Sequence, residues 1–398
     1  MKMLSHQQVE DLGSGSYYYD TYAWCSQRAW VEINSAALSH NVRQLSQLLS
    51  PQTKLMAVVK ADAYGHGSIS VAQTALEAGA SWLGVATVPE GIQLRESAID
   101  APILILGATH TKEQIQAIAE WNLEATLCSP QQALIFSTAL EGFNNPSPIP
   151  VHIKLDTGMS RLGTNWEQAA EFVQLVQGLP KLQIASIYSH LATADSEDTT
   201  IMKLQQSRFE TAVAQLQALG ITAPCLHLAN SAATMSDRSL HYDMVRVGLA
   251  IYGLYPASHL RDVINFKPVL ELKTRVTQVK TITAGTGVSY SHTFIAPKNM
   301  RIAVVGIGYA DGVPRNLSNK IQVLVRGQKI PQIGNITMDQ MMLDVSNIPD
   351  IQTGEVVTLL GKDGQAEIYV NEWADKLNTI SWEILCGFKH RLPRVAVM

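Results

Sequence analysis

The chain has 398 residues, a formal net charge of -4 and 16% charged side chains. That length suits one large domain with a smaller companion. A hydrophobic content of 46% excludes a disordered chain, and the slightly acidic balance gives no footing for nucleic acid or an anionic membrane. No apolar run approaches the length of a membrane-spanning helix. The start lacks the charged-then-apolar pattern of a signal peptide, so the expected compartment is the cytoplasm. Cys25, Cys128, Cys225 and Cys386 stand far apart without metal-ligand spacing and read as reduced structural thiols.

In chain order, residues 1–27 are polar and aperiodic, a loosely held N-terminal extension. Residues 28–33 alternate as a strand, and 36–49 follow as a helix. Strand-like runs then recur at 54–60, 82–87, 102–107, 124–128, 151–156, 182–190, 225–229 and 244–248. Helical patterns at 69–78, 112–120, 166–176 and 201–219 lie between them, and Ser129-Pro130 opens another with a cap residue and a first-turn proline. This alternation predicts an α/β architecture, a (β/α)8 TIM-like barrel over 28–265 whose first strand is free to join the second domain. An open doubly wound sheet would share the alternation; the strand count and length favour the barrel. From 266 to 398 a mostly β C-terminal domain is expected, with strands at 269–279, 301–307, 321–325, 341–345 and 355–360 and one good helix at 372–377.

The most informative stretch is 54–67. A short apolar run climbs to Lys60, and a turn with Gly65 and Gly67 follows, with Ser68 expected to cap the next helix. A lysine at the carboxyl end of a buried strand faces the ligand side of a barrel, and in a partly dry pocket it can form a Schiff base with a carbonyl. A solvated strand-end lysine is the plain alternative. The other strand ends send polar residues to the same rim: Tyr64; Lys154 and the turn from Asp156 to Gly163; Ser189-His190; Asn230-Ser231; and Arg246 with Gly248-Leu249. Ser231 and the backbone of Gly248 and Leu249 come from strands seven and eight, where barrels commonly bind phosphate. Taken singly, Ser231 also suits a helix cap, His190 a core histidine and Arg246 a structural salt bridge.

The segment Ala57-Val58-Val59-Lys60-Ala61-Asp62-Ala63-Tyr64-Gly65-His66-Gly67 resembles the pyridoxal-phosphate attachment motif of the alanine racemases. The similarity extends from about Arg28 to the C-terminus through Met244–Gly253, Gly287–Tyr290, Gly308–Gly312 and Asn335–Gln340. It implies pyridoxal 5'-phosphate as cofactor, alanine as substrate and a D-alanine supply for peptidoglycan. It implies catalytic Lys60 and Tyr290 as proton carriers on opposite faces of the substrate. Tyr64, His190, Asn230, Ser231, Arg246, Gly248 and Leu249 would surround the cofactor, Arg246 donating to the pyridine nitrogen. Arg161 would bind the substrate carboxylate, oriented by Lys154 as a carbamylated lysine. Tyr290, Tyr309, Met338 and Asp339 would act from the partner subunit of a head-to-tail homodimer. Thr379-Ile380-Ser381-Trp382-Glu383 departs from the pattern: Trp382 stands where many members carry a phosphate-reaching tyrosine, and it is left out of the site. A racemase of serine or broad specificity, a non-catalytic cofactor carrier and an amino-acid decarboxylase on the same plan are the other readings.

Overall fold

The computed structural model describes residues 28–143 and 147–397. The expected N-terminal extension and Cys25 lie outside the described residues. Contacts divide the described residues into two compact units, 34–269 and a second formed by 28–33 together with 270–397.

The first unit is the barrel. Its strands are β2 (Lys54–Val58), β3 (Trp82–Val85), β4 (Ile103–Ala108), β5 (Glu124–Leu127), β6 (Ile149–Asp156), β7 (Leu182–Tyr188), β8 (Leu226–His227) and β9 (Met244–Val247). They are ordered β9-β2-β3-β4-β5-β6-β7-β8, all parallel. Hydrogen bonds from Arg246 N–H to the Ala229 carbonyl and from Asp243 N–H to the Leu226 carbonyl stitch β8 to β9 and close the ring. The strands are readable because both faces are buried: Leu55, Met56, Ala57, Leu83, Val85, Ile103, Leu104 and Ile105 lie in the core. Helices return between them, each ended by local chemistry. Ser129 accepts from the Gln132 N–H to cap Pro130–Ala139, and Thr111 accepts from the Gln114 N–H to cap Lys112–Glu120. Among the described residues no helix is long and apolar enough to cross a membrane. Burial pushes the Cys128 and Cys225 thiols up, Cys225 to about 11, so neither is a reactive thiolate.

The second unit contains β1 (Ala29–Asn34), β10 (Leu270–Ile282), β11 (Gly287–Val288), β12 (Phe294–Ile295), β13 (Met300–Val305), β14 (Gln322–Val325), β15 (Gln328–Ile333), β16 (Met341–Asp344), β17 (Val356–Asp363), β18 (Ala366–Ile368) and β19 (Arg394–Val397). The order is β18-β17-β14-β15-β16-β13-β10-β1-β19, and an added β17–β10 pairing closes the middle of this sheet on itself. The strand at the start of the chain therefore pairs antiparallel with β10, Ala29 opposite Thr274 and Ile33 opposite Leu270. A second helix, Ser381–Cys386, follows Val370–Leu377, so the latter is not the only helix here. With Ile380 ahead of it and a cysteine at its end, its six residues carry no capping signal that would announce it.

Candidate active site

The backbone after β2 does something composition does not foretell. Ala61, Asp62, Ala63 and Tyr64 are consecutive left-handed residues, with φ between 51° and 55°. Each costs roughly 1–2 kcal/mol for an L-residue with a Cβ, so the turn persists only because its surroundings fix it. Glu90 accepts the Ala61 N–H at 2.8 Å, and Asp62 accepts the Ser68 N–H at 2.8 Å. Ser68 is thus not the cap of the helix Ser68–Glu77. Gly67 occupies the cap position, and the Asp62 carboxylate satisfies the first helical N–H instead. The His66 ring stacks on Tyr252 with centroids 4.4 Å apart, while the Tyr252 hydroxyl donates to the Val58 carbonyl at 2.9 Å. Lys60 is thereby held, half-buried, where β2 ends.

Tyr64 reaches the end of the adjoining strand β9. A Cβ on Gly248 would stand 2.6 Å from the Tyr64 hydroxyl, so only glycine permits the approach. Ser231 opens the short helix Ser231–Ser236, and its Oγ accepts from the Gly248 N–H at 3.1 Å and the Ala250 N–H at 3.3 Å. Asn230 is the cap, its Oδ1 accepting from the Ala233 N–H at 3.1 Å. Leu249 starts the tight turn that follows β9. The Tyr64 and Ser231 hydroxyls thus gather beside the backbone of Gly248 and Leu249, a set of polar groups suited to phosphate.

Arg246 lies beside them, buried. Its Nη1 donates to His227 Nδ1 at 2.9 Å, and its Nη2 to His190 Nδ1 at 3.0 Å and to the Ser189 and Leu228 carbonyls at 2.8 and 3.1 Å. No carboxylate pairs with it among the described residues, which removes the structural salt bridge as an account of it. Burial brings the guanidinium down to about 10, still cationic at neutral pH. Since arginine only donates, both histidines present lone pairs to it. Burial, reinforced by Arg246, keeps both rings far below the usual histidine range and therefore neutral. The proton order then propagates inward. His227 Nε2–H donates to Ser186 Oγ at 2.8 Å, Ser186 to His152 Nδ1 at 2.6 Å, and His152 Nε2–H to Glu124 at 2.8 Å. Trp82 Nε1–H also donates to that carboxylate, at 2.7 Å.

Lys154, Arg161, Ser189 and His190 line one hollow at the same rim. Lys154 is buried, and this burial, then Arg246, Arg161 and Lys60, lower it to about 8. Asp156 shapes the turn that presents Arg161: its Oδ1 accepts from the N–H groups of Gly158, Met159 and Ser160 at 2.9–3.1 Å. This cationic rim, with hydroxyls on one side and Arg161 on the other, can hold two anionic groups around an amine.

In the β unit, Tyr290 is 71% exposed, and Tyr309 and Met338 are also exposed large side chains. The Tyr309 and Ala310 N–H groups donate to the Thr337 and Met338 carbonyls, both at 3.0 Å, binding the two loops together. Arg391 bridges Asp339 at 2.7 Å and Asp311 at 3.0 Å. Sequence reasoning overlooked Glu90, Asn335 and the Glu124–His152–Ser186–His227 chain. Glu90 alone had a legible signal, as the third residue after the cap Thr87.

The fold and the site define a (β/α)8 barrel protein with a cationic rim rich in hydrogen-bond donors at the carboxyl ends of its strands. Residues 33–256 match the family model for the alanine racemase N-terminal domain, and 269–396 the one for the alanine racemase C-terminal domain. The chain is 71% identical over 396 residues to an alanine racemase of Nostoc sp., covering 100% of both, and 61% identical to one of Synechocystis sp., covering 93% of this chain and 99% of that one. The solved structure of alanine racemase from Clostridium difficile 630 superposes with a TM-score of 0.88 at 32% identity, covering 93% of this chain and 96% of that one. The chain belongs to the alanine racemase family, whose enzymes work with pyridoxal 5'-phosphate.

Proposed function

We propose that this protein interconverts L- and D-alanine with Lys60 and Tyr290 as its two bases, Tyr290 coming from a partner copy. The observation that carries the reading is the convergence, on one barrel rim, of Lys60, the Tyr64–Ser231–Gly248 donor set and an Arg246 that has no carboxylate partner among the described residues. Tyr64, Ser231 and the backbone of Gly248 and Leu249 would hold the phosphate of the cofactor, with Asn230 fixing the Ser231 helix. Arg246 would face the ring nitrogen, with His190 keeping its guanidinium in place, and Lys60 would hold the aldehyde carbon. Bound there, pyridoxal phosphate supplies the electron sink that acidifies the α-hydrogen of an amino acid.

The chain's own residues do the rest. Arg161 clamps the substrate carboxylate with a planar fork. Lys154, neutral for part of the time near pH 8, is open to carbamylation; the carbamate would replace repulsion of Arg161 with attraction. Lys60 Nζ takes or returns the α-proton on one face, and the Tyr290 phenol serves the other, since one base alone tends to return a proton where it found it. The exposure of Tyr290, Tyr309 and Met338 on the β unit supports a homodimer in which this surface, with Asp339, completes the partner's site. Such an enzyme would supply D-alanine for peptidoglycan in the cytoplasm.

Chiral analysis of L-alanine incubated with protein and cofactor tests the activity: D-alanine should accumulate to near equality, and its absence refutes the proposal. Relative rates on alanine and serine separate a strict from a broad racemase. Lys60→Ala should abolish the visible absorbance of the bound cofactor.

A further inference from the structure

The backbone around Tyr290 is strained on both sides. Ser289 sits at φ 63°, ψ -170°, a region that is essentially glycine's, and Ser291 and His292 follow at φ 60° and 45°. Tyr290 is thus thrust outward on a turn that an isolated segment would not adopt, and something must hold it. The neighbouring strand end does. Ser289 Oγ donates to the Asn335 carbonyl at 2.7 Å, and Asn335 Nδ2 donates to the Tyr290 carbonyl at 2.7 Å. This reciprocal clamp grips the residue before the phenol by main chain and the phenol's own backbone by side chain. Asn335 is buried, so its amide is not diverted to water. Two glycines make the approach possible. A Cβ on Gly334 would come within 2.8 Å of the Val288 carbonyl oxygen, and one on Gly287 within 2.2 Å of the His292 ring.

We infer that Asn335 is the positioning residue for Tyr290, its side-chain amide holding the strained turn that aims the phenol. The inference rests on the reading of Tyr290 as one of the two bases. Asn335→Asp keeps the size but removes the donor, and Asn335→Ser shortens the side chain out of reach without adding charge. In cofactor-loaded protein, both variants should lower kcat by about ten- to a hundredfold, the scale of an ångström-sized misplacement of a reacting group. KM should stay within about twofold, because substrate binding is untouched. The α-deuterium isotope effect should rise for one enantiomer alone, since only one face depends on Tyr290. In protein carrying 13C-labelled tyrosine, the Tyr290 ring signal, assigned by its loss in Tyr290→Phe, should shift or broaden. General loosening of the fold would move both isotope effects together, and that result overturns the inference, as does an unmoved Tyr290 signal or a kcat within about twofold of wild type in both variants. Tyr290→Phe separates the two layers. If it retains the wild-type rate, the reading of Tyr290 falls and the inference falls with it. If it is inactive while the Asn335 variants match wild type, the inference alone falls.

Discussion

The carboxylate of Glu90, at the start of one barrel helix, accepts the Ala61 N–H at 2.8 Å, directly beside Lys60 just past the end of β2. The same carboxylate accepts the Ala86 and Thr87 N–H groups at 2.7 and 3.1 Å. One side chain therefore finishes a helix cap and secures a left-handed turn that would otherwise unwind.

Glu90→Ala should destabilise the protein by about 1–3 kcal/mol, the range for losing hydrogen bonds to a charged acceptor at a partly exposed position. Because the turn carries Lys60 and Tyr64, cofactor should also be retained more weakly, by about tenfold for each ~1.4 kcal/mol of turn stability lost from the bound state. Urea denaturation and a cofactor titration read by absorbance check both. Undiminished retention would show that the turn holds without Glu90.

Ser186→Ala removes one hydroxyl from the middle of the chain running from Arg246 to Glu124. It leaves His227 Nε2–H and His152 Nδ1 buried without partners. The expected loss is about 2–4 kcal/mol, well above the loss of a single average hydrogen bond. Denaturation of Ser186→Ala beside Ser186→Cys measures it, the thiol restoring part of the contact. A loss under about 1 kcal/mol would mean that water replaces the hydroxyl.

Lys154 makes a pH-dependent contribution whose sign follows from its lowered value of about 8 against an ordinary 10.5. Below pH 8 the folded chain keeps a buried ammonium and bears the full penalty. Between 8 and 10.5 the unfolded chain binds a proton that the folded one does not, so stability rises with pH; above 10.5 the penalty is gone. The window is worth roughly 3 kcal/mol. In carbonate-free buffer, Lys154→Met should be more stable than wild type near neutral pH, with the difference vanishing as pH climbs through the window. A constant difference would contradict the assignment.

Asp311 is fully buried and accepts from Arg28 at 2.6 and 2.9 Å, from Arg391 at 3.0 Å and from the Gly308 N–H at 2.9 Å. Asp311→Asn removes the charge shared by the two guanidinium groups, leaving Arg28 on the Gly306 carbonyl and Arg391 on Asp339, at a loss of about 1–3 kcal/mol. Thermal unfolding should show it as a lower midpoint, whereas Arg391→Gln, which spares Arg28, should cost less. Equal losses would place the weight on Arg391.

The barrel was legible because several staves carry short apolar runs, such as 55–58 and 103–106, bounded by turn residues. The strand Gln328–Ile333 was not, because it alternates with polar residues and carries Pro331 opposite Gln322. The rim residues followed from their place at strand ends. The left-handed turn could not: alanine and tyrosine disfavour that region, a single aspartate is a weak hint, and the group that stabilises it lies 29 positions away. Likewise, nothing in the letters at Ser289 or Asn335 announces a clamp, since each is ordinary alone and meets the other only through the pairing of distant strands.

Lys154 meets Arg246, Arg161 and Lys60 as like charges at the rim. On the proposed reading, a doubly charged phosphate and a carboxylate arriving there would relieve that repulsion and link ligand occupancy to folding. Protein without its cofactor should then unfold more readily than loaded protein, so scarcity of the cofactor would lower stability as well as turnover.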